Sequence, residues 1–193
     1  MASGIYNVPN LLTTMRLVLS VVMFGFLSFD YYRTSLALFV IAASTDWIDG
    51  FYARRYGLVT TLGRILDPFA DKVIVCGTFI FLLAIPALTR MEWGLRAWMV
   101  TVIIARELLV TALRSFLEQR GADFSAQFSG KLKMLAQCVA AGVCLYYLWQ
   151  HPQGQSPADW LWWTLVLSLW TAVALTVYSG VIYIAAAVRL MRG

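Results

Sequence analysis

Four aspartates crowd one stretch of this chain, DWIDGFYARRYGLVTTLGRILDPFAD, residues 46–71, between long apolar runs. Asp46 and Asp49 are three residues apart and Asp67 and Asp71 four apart, so each pair occupies one face of a helix. Ionised carboxylates beside hydrocarbon are costly and need partners or a purpose. An antiparallel pair of helices joined by a short loop would bring all four carboxylates together. Their mutual repulsion is relieved by hard divalent cations, and an all-oxygen ligand set suits Mg²⁺ or Mn²⁺. Two such ions make a clamp for phosphoryl chemistry. Gly50, Ala53, Gly57 and Gly63 are small enough for a flat ligand to reach the backbone, and Arg54 and Arg55 suit bidentate contacts to phosphate. For any one of these residues, surface ion pairing or plain helix packing is a competing explanation; for the whole array it is a poor one.

The elements that must carry this array read as membrane helices. The chain has 193 residues, 61% hydrophobic and only 13% charged, against about 25% charged in ordinary soluble domains; its mean hydropathy is +0.73. Too few polar residues remain to cover a soluble globule. Apolar segments fall at about 11–29, 34–53, 67–88, 96–117, 131–150 and 160–188, most of them reaching the roughly 20 residues that span a bilayer core. NVPNLLTTMR, residues 7–16, mixes polar and apolar residues, with Pro9 placed to open a helix. The expectation is therefore an all-α integral membrane protein. It has six transmembrane helices, a short N-terminal interfacial helix and one domain over 1–193. The N-terminus carries no basic segment or small-residue cleavage site of a signal peptide.

Lysine and arginine set the orientation. With six spans, only Arg33, Arg90 and Arg96 of the 15 Lys and Arg residues fall on one side, which puts both termini and the aspartate stretch in the cytoplasm. The net charge of +5 is mostly this asymmetry, and no soluble basic surface for nucleic acid exists. Cys76, Cys138 and Cys144 lie in apolar runs without metal-ligand spacing. His151, in the loop HPQGQSPADW, reads as partnerless. The tryptophans and tyrosines read as interfacial belt and packing residues.

The aspartate stretch resembles the signature of the CDP-alcohol phosphatidyltransferases, D-x-x-D-G-x-x-A-R-x8-G-x-x-x-D-x-x-x-D: Asp46, Asp49, Gly50, Ala53, Arg54, Gly63, Asp67 and Asp71 fill every fixed position. The resemblance extends over most of the chain, since that family also has six spans with the motif on the second and third. It implies a reaction in which an alcohol attacks a CDP-linked lipid at the phosphorus next to the lipid and CMP leaves. It also implies that Asp46, Asp49 and Asp67 hold one metal ion, and Asp46, Asp67 and Asp71 a second. Gly50, Arg54 and Thr60, together with Ala53 and Gly63 of the motif, would meet the CDP-lipid, and Asp71 would take the proton of the attacking hydroxyl. An ordinary Asp titrates at about 4 and is a weak base, so the alternative for Asp71 is a ligand that orients the alcohol.

Three more stretches bear on the alcohol. VPNLLTTMR (8–16), ARELLVTALRSF (105–116) and GKLKMLAQ (130–137) resemble the corresponding parts of bacterial family members that use glycerol 3-phosphate. That resemblance implies nucleotide contacts for Asn10 and Thr13, CDP-diacylglycerol and glycerol 3-phosphate as substrates, phosphatidylglycerol phosphate and CMP as products, and a homodimer among membrane lipids. Arg106, Arg114, Lys131 and Lys133 bring four positive charges to the cytoplasmic ends of the fourth and fifth spans, which suits an acceptor phosphate. Anionic-lipid binding is the plainer reading of such cations, and it serves for Arg120, Arg189 and Arg192. Glu107, Arg114 and Glu118 share one helical stripe, so Glu107 is expected to position Arg114. Two positions depart from the relatives: Met134 stands where Thr is usual and Ser20 where many have Pro. Within the class, cardiolipin-forming and phosphatidylinositol-phosphate-forming members are the alternatives. Outside it stand a divalent-cation transporter, which would need acids at the bilayer midplane, and an intramembrane aspartyl protease, whose Gly-x-Gly-Asp element is absent from the sequence.

Overall fold

The structure, a computed structural model, describes the backbone of residues 8–56, 61–119, 128–151 and 159–192, and the side chains of residues 11, 13–45, 69–116, 130–151 and 160–190. Among the described residues every regular element is a helix: α1 (Val8–Ser28), α2 (Tyr32–Tyr56), α3 (Thr61–Leu83), α4 (Pro86–Thr89), α5 (Ala97–Gln119), α6 (Phe128–Gln150) and α7 (Asp159–Arg192). Within them, Gly130–Gln150 and Trp160–Leu190 are long and apolar enough to cross a membrane, and Thr13–Ser28 is a shorter apolar helix.

The helices follow the apolar segments, with two informative differences. α1 is one helix that carries residues 8–16 without a break into the first apolar segment. The segment expected over 67–88 is two helices, because Pro86 forces Ile85 into an extended conformation (φ −92°, ψ 114°) and α3 stops at Leu83.

The chain divides into two compact units. One comprises Met1–Leu82 with Cys144–Gln155, the other Leu83–Val143 with Ser156–Gly193. In the first, α1 packs against α2 through a turn that the sequence closes locally. Asp30 sits in the left-handed region (φ 60°), the amide of Tyr31 donates to the Phe26 carbonyl (3.0 Å) and that of Asp30 to Leu27 (3.3 Å). These are the two bonds of a Schellman ending, and the Phe26 and Tyr31 rings supply its apolar contact, edge to face at 6.0 Å. α1 also meets α3, where the Phe24 ring stacks on Phe81 at 4.8 Å and lies over Gly77, leaving no room for a β-carbon there.

In the second unit α5 packs against α7. The buried face of α5 runs Met99, Ile103, Arg106 with Glu107, then Val110; that of α7 runs Leu169, Ala172, Thr176, Ser179, Tyr183, Ala187. Steps of three and four put each set on one stripe. Val110, Tyr183 and Ala187 form an apolar cluster with Leu113 and Ala186 against it.

An alanine at Gly77 must displace the Phe24 ring, whereas Gly25 has open space around the same position. Gly77→Ala is expected to lower the thermal midpoint by about 2–4 °C in detergent, and Gly25→Ala to raise it slightly through helix propensity. Circular dichroism melts of both variants check this.

Candidate active site

The aspartate array divides between two helices, Asp46 and Asp49 on α2 and Asp67 and Asp71 on α3. Gly50, Ala53 and Arg54 also lie on α2 and Gly63 on α3, while Asn10 is in the first turn of α1. The side chains of Asn10, Asp46, Asp49, Ala53, Arg54 and Asp67, the surroundings of Gly50 and Gly63, and the whole of Thr60 lie outside the described residues.

Asp71 is described. Its Oδ1 accepts a hydrogen bond from Arg16 Nη1 at 2.8 Å; the Arg16 side chain is 1% exposed and the Asp71 side chain 26%. Arg16 belongs to a polar stripe on α1, with Thr13 and Ser20 buried beside it. Ser20 donates its hydroxyl back to the Arg16 carbonyl at 2.8 Å. Where a proline would leave that carbonyl without its usual amide, serine adds a second donor to it. Sequence reasoning counted Arg16 only toward orientation. The signal that could have singled it out is its spacing of three and four from Thr13 and Ser20 within an otherwise apolar helix.

A second polar cluster lies in the second unit. The Glu107 carboxylate accepts from Arg106 Nη1 (3.1 Å) and from the Lys133 ammonium through the same oxygen. Arg106 Nη2 donates to Ser179 Oγ at 2.5 Å, and its guanidinium lies over the Tyr183 ring, 5.3 Å from the centroid. Lys133 also reaches Gln137 Oε1 at 3.4 Å, Gln137 donates to Thr176 Oγ1 at 2.8 Å, and Thr176 donates on to the Ala172 carbonyl at 2.6 Å. α5, α6 and α7 are thus tied by one chain of hydrogen bonds whose members are all buried. α7 comes this close because Gly130 and Gly180 present no side chain, the first toward the Tyr183 hydroxyl and the second toward the Arg106 stem.

Of the four cations expected at an acceptor phosphate, the fold brings Arg106 and Lys133 together. Lys131 is exposed, since two residues from Lys133 is another face of the helix. Arg114 is partly buried, and its Nε, like that of Arg106, is buried without a hydrogen-bond partner among the described residues. Glu107 does not position Arg114: seven residues is close to two turns, but the adjacent Arg106 and Lys133 of the neighbouring helix hold its carboxylate first. Gln137, Thr176, Ser179 and Tyr183 were not anticipated. Each is a polar group at helical spacing on a buried apolar stripe, visible once the stripe is known. His151 has a partner after all: its ring lies 5.0 Å from that of Tyr147, tilted by 30°, with Nδ1 3.2 Å from the Tyr147 carbonyl. Cys76, Cys138 and Cys144 form no disulfide.

A family model described as CDP-alcohol phosphatidyltransferase matches residues 6–178, and the chain belongs to this family. It is a transferase of the membrane. The chain is 37% identical to the CDP-diacylglycerol–glycerol-3-phosphate 3-phosphatidyltransferase of Bacillus subtilis (strain 168), over 91% of its own length and 92% of the relative's. Proteins of the same name in Salmonella choleraesuis (strain SC-B67) and Escherichia coli (strain K12) are 36% and 35% identical, each over 94% of this chain and 95% of the relative.

Removing Arg16 strips Asp71 of a buried counter-charge. Arg16→Met is expected to destabilise the protein by about 2 kcal/mol, below the full figure for a buried pair because Asp71 is a quarter exposed to solvent. Arg16→Lys is expected to cost less. Denaturant titration in a fixed detergent reads both.

Proposed function

We propose that this protein transfers the phosphatidyl group of CDP-diacylglycerol to glycerol 3-phosphate, giving phosphatidylglycerol phosphate and CMP. The donor side rests on the signature filled at every fixed position from Asp46 to Asp71 and on the name shared by the relatives. The acceptor side rests on one observation: Arg106 and Lys133, from different helices, meet at the Glu107 carboxylate in a buried setting. Cations gathered at one place suit an acceptor that carries a phosphate better than a neutral alcohol. Arg114 and Lys131 would add to its attraction.

Two ions of Mg²⁺ or Mn²⁺ fit the donor set, which is all carboxylate oxygen. Asp46, Asp49, Asp67 and Asp71 would hold them, and when bound they would neutralise the diphosphate and improve CMP as a leaving group. Arg16 suits this arrangement, because its hydrogen bond to Oδ1 holds the Asp71 carboxylate in one orientation. Gly50, Ala53 and Gly63 leave space at the backbone for the CDP group, while Arg54, Thr60, Asn10 and Thr13 offer donors to it. The acceptor hydroxyl oxygen bonds to the phosphorus next to the lipid, the bond from that phosphorus to the CMP oxygen breaks, and the hydroxyl proton passes to Asp71 or, if Asp71 only orients the alcohol, to solvent. The chain sits as one domain of six spans in a bacterial inner membrane. α1 begins at the interface, both termini and the site face the cytoplasm, and two copies form a homodimer.

Purified protein given CDP-diacylglycerol and separate acceptors is expected to release CMP with glycerol 3-phosphate. If another alcohol reacts and glycerol 3-phosphate does not, the acceptor is wrong. Asp67→Asn is expected to lower metal-dependent CMP release by about a hundredfold or more with the fold retained. Chelation by EDTA should abolish release until Mg²⁺ or Mn²⁺ is restored; full activity in either case excludes the metal assignment.

A further inference from the structure

Three tryptophans of the second unit converge without being buried. Trp93 precedes α5, Trp98 lies in its first turn and Trp170 in α7. The Trp93 and Trp98 rings stand at 59° and 61° to that of Trp170, with centroids 6.1 and 5.8 Å from it. The three are 56%, 48% and 37% exposed, so packing does not hide them. With Glu92, Arg96 and Met99 they line an open cavity of about 290 Å³, at the small end of ligand pockets. The turn that carries it is internally fixed. Gly94 lies so close to the Leu88 carbonyl that a β-carbon would clash with it, and the amides of Gly94 and Leu95 donate to the Met91 and Leu88 carbonyls at 3.2 and 3.1 Å. Trp93 holds a left-handed backbone (φ 57°), unfavourable for a bulky residue, and its carbonyl accepts from Trp170 Nε1 at 3.3 Å. Arg96 donates through Nη1 to the Thr89 carbonyl (2.8 Å) and through Nη2 to that of Met91 (3.0 Å). A guanidinium has five N–H groups, so it keeps donors for a further acceptor. Glu92 is exposed and has no ion-pair or hydrogen-bond partner among the described residues. From Trp170 to Arg189, α7 rises about 28 Å, close to the roughly 30 Å of a bilayer's hydrocarbon core. With Arg189 at one surface of the membrane, the cavity stands at headgroup level on the other.

We propose that this cavity binds the headgroup of a zwitterionic phospholipid, its ammonium among the Trp93, Trp98 and Trp170 rings beside Glu92 and its phosphodiester at Arg96. Indole faces attract a cation through their quadrupole, and Glu92 adds a counter-charge. Arg96, pinned at two points, offers its remaining N–H groups to phosphate. One carboxylate and one guanidinium at the rim match a headgroup whose own two charges lie a short chain apart. A headgroup without an ammonium would leave the rings and Glu92 nothing to hold. The surface beside the cavity favours a lipid over a soluble molecule of the same chemistry. Trp170, Ala174, Val177, Val181 and Ile184 follow one another at steps of three and four and are all exposed, so an apolar track for acyl chains runs from the cavity along α7.

The test uses the full-length protein in a maltoside detergent, with the thermal midpoint followed as lipid is titrated in. Phosphatidylcholine should raise the midpoint of the parent to a plateau. Glu92→Gln and Trp98→Ala should each need about three to ten times more phosphatidylcholine for half the effect. Phosphatidylglycerol, which lacks the ammonium, should act no more weakly on Glu92→Gln than on the parent. Trp163→Ala removes an exposed tryptophan of α7 outside the cavity and should leave the phosphatidylcholine requirement unchanged. Where Trp98→Ala does not fold, Trp98→Phe takes its place, with a smaller loss because a benzene ring holds a cation less well than an indole. The proposal is overturned if phosphatidylcholine does not stabilise the parent, or if Glu92→Gln needs no more of it than the parent does. An equal loss with phosphatidylglycerol, or in Trp163→Ala, overturns it too, since either would mean a general effect of apolar surface. Glycerophosphocholine, the same headgroup without acyl chains, should stabilise only at about a hundredfold higher concentration or more. Stabilisation at the concentration that serves for the lipid overturns the choice of a lipid as the occupant.

Discussion

The Glu107 carboxylate, held between the Arg106 guanidinium and the Lys133 ammonium, shows the constraint under which this chain is built. A charge beside hydrocarbon must be balanced within hydrogen-bonding reach, because the surroundings supply no water to do it. Meeting that demand ties helices together. Once Arg106, Glu107 and Lys133 share a site, α5 and α6 have a fixed register against each other, and the bonds to Ser179 and from Gln137 to Thr176 extend that register to α7. The apolar contacts of Val110, Tyr183 and Ala187 pack the same helices but with no comparable directionality. Dispersion and exclusion from water hold apolar stripes together, while hydrogen bonds with fixed angles decide how they are rotated and staggered.

The same rule governs the first unit. Arg16 is buried on α1 and reaches Asp71 on α3, so a residue of the signature is oriented from outside the signature. The helices are brought to this distance by ring stacking at Phe24 and Phe81 over the bare backbone of Gly77, and α1 is turned toward α2 by the Asp30 ending. Local turn chemistry, a small residue and one aromatic stack thus stand behind the ionic contact of Arg16 with a candidate catalytic carboxylate. Catalytic groups need such support because small errors in placing them cost rate steeply.

Membership of the CDP-alcohol phosphatidyltransferase family joins these observations to a chemistry. The relatives align over nearly their whole lengths, so the comparison covers the cationic cluster as well as the aspartates. Residues 6–178 carry the family match, which includes Arg16, Asp71, Glu107, Lys133 and Thr176 and leaves out Ser179 and Tyr183, the two α7 groups that hold Arg106.

Much of the chain was legible from its residues alone. Apolar runs separated by charged or turn-forming stretches located the long helices, since hydropathy and helix breaking are local properties. The aspartate signature was legible for a similar reason, because fixed spacing along helices encodes which side chains share a face. Pro86 and its effect on Ile85 are equally local, and the apolar run simply masked them. Partnerships across helices were not legible. Nothing in the spacing of Glu107 and Arg114 reveals that Lys133, 26 residues away, claims the carboxylate, or that Arg16 reaches Asp71 across 55 residues. Such choices depend on how the buried stripes rotate against one another, and that is decided by side-chain shape and the need to pair every buried charge at once.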